Sequence, residues 1–250
     1  MDGTEALMSI GTFARPGGAG AVRQVAPAVA SAPVREEFPV LGCVLIDIER
    51  QEVRLVATDR YRLAVRALRP LSAEGGPRRV LVGASELKDV ASWAGPLPDV
   101  DIEVDRRGVR LHGGRAARAL PTVDETFPDY RMILDDLPAA RHRIIADRTA
   151  LRAAIAEAGH DGPLTLRTDE RRLTLAFRGS ATATLPAVCT GAPVRIAFDP
   201  GVLPPALDAG VGPDALPEIS SPTRPVVVRP ADQGSFTTLV MPVHEAPTAA

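Results

Sequence analysis

Residues Val53-Arg54-Leu55-Val56-Ala57-Thr58-Asp59-Arg60-Tyr61-Arg62-Leu63-Ala64 decide the reading of this chain. Apolar side chains fall at every second position on both sides of the polar step Asp59-Arg60-Tyr61, which predicts a hairpin with one buried face. The strands of that hairpin are expected at 52–58 and 62–68, with a further strand at 40–48 ahead of them. Before these come a lead strand at 7–13 and a Gly/Ala-rich helix at 19–30.

The same order, a short helix and then three strands, recurs along the chain. In a second segment Ser85 is read as the N-cap of a helix that stops at Gly95-Pro96, and strands follow at 100–104, 108–112 and 115–120. In a third, Asp147 caps a helix with Leu151, Ala154, Ile155 and Ala158 on one face. Strands are expected after it at 164–167, 173–177 and 181–185. A fourth opens on Asp199-Pro200, read as an N-cap with proline at the first helical position, and carries strands at 224–229 and 236–243. The second and third segments end alike, Ala119-Leu120-Pro121 against Thr184-Leu185-Pro186, and each proline is read as closing its strand.

Four repeats taken in pairs give two domains of one construction, 1–139 and 140–250, with the proline-rich stretch 128–138 between them. The expected fold class is α+β, each domain holding two helices packed on antiparallel sheets.

Composition narrows the function. With 250 residues, 45% of them hydrophobic and 24% charged, the chain has enough apolar material for two small cores. A formal net charge of -2 supplies no general basic field for holding nucleic acid. No run approaches the roughly 20 apolar residues of a membrane span, and no basic patch leads into an apolar signal core, so the expected location is the cytoplasm and no membrane partner is expected. Cys43 and Cys189 are far apart, in apolar or small-residue surroundings, and read as buried reduced thiols.

Nothing in the chain points to catalysis, a cofactor or a metal. His112, His142, His160 and His244 lack ligand spacing, and Gly17-Gly18-Ala19-Gly20 lacks the Lys-Ser/Thr of a phosphate loop. Adjacent carboxylates at Glu36-Glu37 and Asp135-Asp136 face apart on an extended chain and make poor acid/base pairs.

The opening hairpin resembles the signature hairpin in the middle domain of the bacterial DNA polymerase III beta subunit, the sliding clamp. That family carries Ala-Thr-Asp-Gly, His or Tyr, then Arg-Leu-Ala; Arg60 stands here in the glycine slot. Phe127-Pro128-Asp129-Tyr130-Arg131 resembles the linker motif between the clamp's last two domains, and Leu239-Val240-Met241-Pro242-Val243 its C-terminal strand. The likeness runs from about Leu7 to His244 and covers the clamp's second and third domains, leaving its first without a counterpart.

The resemblance implies two tandem processivity-fold (DNA-clamp) domains, with sheets outside and helices lining a channel for DNA. Six such domains close a ring, so two per chain require three chains. It also implies a non-catalytic protein whose partners are clamp-binding peptides of replication or repair proteins, captured in a hydrophobic pocket between the two domains. The positions that match that pocket are Thr58, Tyr61, Arg62, Leu63, Pro128, Met132, Ile133, Val240, Met241, Pro242 and Val243. Methionines there adapt to varied side chains. Strand alternation would equally make Leu63, Ile133, Val240 and Met241 ordinary core residues.

The channel helices offer few cations, namely Arg23, Arg35, Lys88, Arg148 and Arg152, so DNA binding is expected to be weak and salt-sensitive. Two readings stand side by side. One is a tether that assembles as a homotrimeric ring around DNA. The other is a regulatory paralogue, monomeric, that keeps the fold and the peptide pocket without encircling DNA.

Overall fold

The structure is a computed structural model, and it describes residues 8–14, 17–72, 74–105, 108–158, 162–177 and 180–244. It divides into two compact units. One holds Met1–Asp59 and Val65–Pro128; the other holds Arg60–Ala64 and Asp129–Ala250.

The first unit runs β1 (Met8–Ala14), α1 (Gly17–Val25), α2 (Ala32–Glu37), β2 (Cys43–Ile48), β3 (Val53–Thr58) and β4 (Arg62–Leu68). It continues with β5 (Arg78–Gly83), α3 (Ala84–Ala94), β6 (Asp99–Asp105), β7 (Gly108–Gly113) and β8 (Ala116–Leu120). These strands form two antiparallel layers, in the orders β1-β6-β7-β8 and β4-β3-β2-β5. Arg62–Ala64, at the start of β4, group with the second unit. The first unit is thus β-α-β-β-β twice over, except for the extra short helix α2. Its two lead strands change places: β1 pairs with β6 of the second half, and β5 pairs with β2 of the first.

The second unit opens with α4 (Tyr130–Asp135) and then follows the same plan. Its first half is β9 (His142–Asp147), α5 (Arg148–Ala158), β10 (Leu164–Thr168), β11 (Arg172–Phe177) and β12 (Ser180–Thr190). Its second half is β13 (Arg195–Phe198), α6 (Leu203–Asp208), β14 (Asp214–Ile219), β15 (Val226–Pro230) and β16 (Phe236–Val240). The exchange recurs here, β9 pairing with β14 and β13 with β10.

Both units close their cores the same way. Helices α1 and α3 pack together in the first, α5 and α6 in the second. Leu151 and Ile155 on α5 and Leu203 and Leu207 on α6 meet Leu164, Leu166, Leu173, Leu175 and Phe198 from the strands. The apolar spacing read from the sequence as one helix face is the face that is buried: Leu151, Ala154 and Ile155 are all below a tenth exposed. Asp147 caps α5 as expected, its carboxylate accepting from the Ala150 N–H at 2.6 Å.

Several boundaries differ from the sequence expectation, each for a local reason. The helix expected at 19–30 ends at Val25, because Pro27 cannot continue it and Ala26–Ala28 form a 3-10 turn instead. The strand expected from Val40 starts at Cys43, behind a second 3-10 turn at Pro39–Gly42. The cap of α3 is Gly83, not Ser85; Glu86, three residues on, folds over Gly83 so closely that a side chain there would collide with it. Asp199 does not cap α6 either. Its carboxylate accepts from the Gly201 N–H at 2.8 Å, closing a turn, and the helix begins at Leu203 with Pro204 and Pro205 in the first turn, where their missing N–H groups leave no helical bond unmade. The proline-rich stretch 128–138 contains α4 and opens the second unit at Asp129.

Pro186 does not end its strand. β12 pairs with β11 up to Pro186 and with β9 from Ala187 onward, so the proline sits where the strand changes partner and needs no donor. Pro121 does follow the last residue of β8.

Candidate functional site

The site is built from the turn after β3. Arg60 there has φ +80°, the one positive value for a non-glycine residue among the described residues. Left-handed backbone costs an L-residue with a Cβ about 1–2 kcal/mol. The turn therefore keeps the conformation that a glycine would adopt freely, with an arginine in it. Replacing Arg60 by glycine is expected to stabilise the chain by about 1 kcal/mol, because relief of this strain exceeds the added freedom of the unfolded chain. In thermal unfolding that is a rise of roughly 2–4 °C; a fall would show that the Arg60 side chain contributes more than its backbone costs.

Arg60–Ala64 belong to the second unit, and hydrogen bonds from backbone and side chain tie them to it. The Met241 N–H donates to the Tyr61 carbonyl at 2.8 Å. Arg62 Nη1 donates to the carbonyls of Gly201 and Val202 at 3.3 and 3.4 Å, just ahead of α6. On leaving β16 the chain makes one more bond, from the Val243 N–H to the Ala197 carbonyl on β13 at 2.8 Å. The stretch Met241-Pro242-Val243 is thus a strap held by its backbone at both ends, with its side chains free of that duty.

Exposure separates the sequence-predicted residues. Leu63 and Val240 are buried at 5% and 0%, and they serve the core. Tyr61 is 56% exposed and Met241 39%, two large apolar surfaces on residues that share a backbone bond. Pro242 and Val243 are half-buried. Met132 and Ile133 stand on α4 of the same unit, 66% and 40% exposed. Asp129 caps that helix, accepting from the Met132 N–H, and Tyr130 is wholly buried beneath it. Thr58, buried, and Pro128, exposed, fall in the first unit. The carbonyls of Gly201, Val202 and Ala197 were not legible as site residues, since they act through their backbones; the Asp199 turn that presents two of them is the only sequence signal.

The candidate channel cations divide in two. Arg23 on α1, Arg35 on α2 and Lys88 on α3 are exposed. Arg148 and Arg152 on α5 turn toward α6. Arg148 donates to the Gly212 and Leu207 carbonyls at 3.0 and 3.2 Å, a favourable place for a cation at a helix C-terminus. Arg152 Nε meets both carboxylate oxygens of Asp208 at 3.1 and 3.2 Å.

The remaining chemistry-bearing groups are engaged locally. Burial, with Glu86 and Glu125 adding to it, pushes the Cys43 thiol up; burial and Asp169 do the same to Cys189, and both thiols are free. A raised thiol holds little thiolate at neutral pH and makes a poor nucleophile. His112 pairs with Glu103 at 3.1 Å, and His142 Nδ1 lies 2.8 Å from the Ala192 carbonyl. Among the described residues no three His, Cys, Asp or Glu side chains gather as a metal site, and no helix is long and apolar enough to cross a membrane.

Comparison with known proteins identifies the pattern. Residues 19–129 match the family model of the DNA polymerase III beta subunit, central domain. The beta sliding clamp of Caulobacter vibrioides is 28% identical over 200 residues, which cover 73% of this chain and 52% of that protein. The beta sliding clamp homolog GriR of Streptomyces muensis is 29% identical over 178 residues, 67% of this chain and 48% of GriR. The chain spans about half the length of these curated relatives. The crystal structure of the DNA polymerase sliding clamp from Pseudomonas aeruginosa has the same fold, with a TM-score of 0.84 at 21% identity over 98% of this chain and 69% of that one. Two tandem α+β clamp domains are therefore the architecture.

Proposed function

Because the chain belongs to the DNA polymerase III beta subunit family, we propose that it acts as a non-catalytic docking tether, presenting a peptide site on its second unit to proteins of DNA replication or repair. The observation that carries this reading is the Tyr61–Met241 pairing. Tyr61, 56% exposed, and Met241, 39%, are joined through their backbones, so the bond between them does not depend on what their side chains meet. A site of this kind is preorganised, and an apolar peptide anchor would lose little freedom of the protein on docking. Methionine and tyrosine suit the task, one adapting in shape and the other offering a hydroxyl at the rim. Met132, Ile133, Pro242 and Val243, all of the second unit, are the further residues we assign to the site.

If these two domains are what each chain brings to a ring of six, the ring takes three chains. A second reading, a paralogue that docks peptides without encircling DNA, is favoured by α5. Arg148 and Arg152 are committed to carbonyls and to Asp208, which leaves Arg23, Arg35 and Lys88 as the candidates for phosphate. With so few contacts, affinity for DNA should be weak and should fall steeply with salt.

Light scattering at increasing protein concentration decides between them. A species of three times the chain mass that stays on circular DNA but slides off linear DNA is the result expected of a ring. A monomer that still binds a clamp-binding peptide supports the second reading. A chain that binds no such peptide in either state overturns both.

A further inference from the structure

The core of the first unit is incompletely filled. Between α1 and α3 and the strands beneath them lies a cavity of about 80 Å³, lined by apolar residues throughout, among them Val22, Leu55, Leu87, Val90, Ala91 and Leu111. Small residues keep it open where the helices face it: Gly18 and Ala19 on α1, Ala91 and Ala94 on α3, and Gly95 just beyond. A methyl group added at Gly18, at the half-exposed mouth, would touch nothing within 4 Å. Close packing is the rule in protein interiors, and a gap of this size leaves its lining short of contacts.

The gap is graded from inside to outside. Val22, Leu55, Leu87, Val90 and Leu111 are buried, while Gly18, Ala94, Gly95 and Leu97 are half-exposed. An apolar group can thus enter past the ends of the two helices. With no polar side chain among the described residues of the lining, water finds no side-chain partner in them and a charged or hydrogen-bonding head would be left unsatisfied. The volume is roughly half that of an apolar cavity that takes up benzene or xenon, room for about three or four carbons.

We propose that this cavity is a binding site for a short aliphatic chain end, its polar head remaining in water at the mouth beside Gly18 and Leu97. The occupant fills the core between α1 and α3 and ties the two helices together. Affinity for so small a group is on the order of millimolar, since only a few methylenes leave water.

The test uses the full chain with its leucine and valine methyl groups followed by NMR, probed with xenon and separately with sodium hexanoate. Saturable shifts of the Leu87, Val90 and Leu111 methyls with both probes are the expected result. Ala91→Leu and Gly18→Leu, made separately, should each abolish those shifts, and at least one should unfold at no lower temperature than the parent. Shifts with xenon but none with hexanoate would overturn the ligand class, and no shift with either would overturn the cavity itself. Hexanoate shifts that persist in a folded, filled variant would place binding elsewhere and overturn the site.

Discussion

An alanine at Phe198 is expected to destabilise the second unit by about 3–5 kcal/mol, enough to leave it marginal at physiological temperature. Phe198 is 1% exposed and ends β13, whose whole length pairs with β10 of the other half. Its ring lies in the cluster that joins α5, α6 and strands of both halves, so truncation leaves a void that several elements line at once. Urea unfolding measures the effect, as a midpoint falling sharply at an unchanged slope. A loss below about 1 kcal/mol would mean that the neighbouring leucines collapse into the space, and that the two halves are less tightly interlocked than their strand exchange implies.

Met241→Ala addresses function. The Met241 side chain is 39% exposed, and its backbone bond to Tyr61 survives truncation, so the fold should change little. If Met241 anchors a partner peptide, affinity for a clamp-binding peptide should fall by roughly 10- to 30-fold, the loss typical of a central apolar anchor. Fluorescence anisotropy with a labelled peptide reads this directly, with thermal unfolding of the same sample as the control for folding. Unchanged affinity in a folded variant would move the site away from the strap. Leu63→Ala is the poorer probe, because Leu63 is buried and its loss acts through stability first.

Much of the fold could be read from alternation. The hairpin strands β3, β4, β6, β7, β10 and β11 all lie where apolar residues recur at every second place, because one face of each is buried against helices. The lead strands β5, β9 and β13 were not legible. Arg195–Phe198 is too short to show a period, and His142–Asp147 finds its partner in Asp214–Ile219, far along the chain. Pairing at such distance leaves no local mark. The site was half legible. Motif order singled out Tyr61, Arg62 and Met241 as candidates, but alternation could not say that Val240 would be buried and Met241 exposed. That is decided where β16 ends and the chain turns to bond Ala197.

The exchange of lead strands also has a consequence for how the chain is made. At the moment β1 has left the ribosome, its partner β6 has yet to be translated, and β2 likewise waits for β5. Neither sheet of the first unit can be completed until most of that unit is synthesised, which makes for a high contact order and slow, late closure. Until then the open edge of β2 is exposed to other chains, and chaperone demand during synthesis should be greatest in that interval.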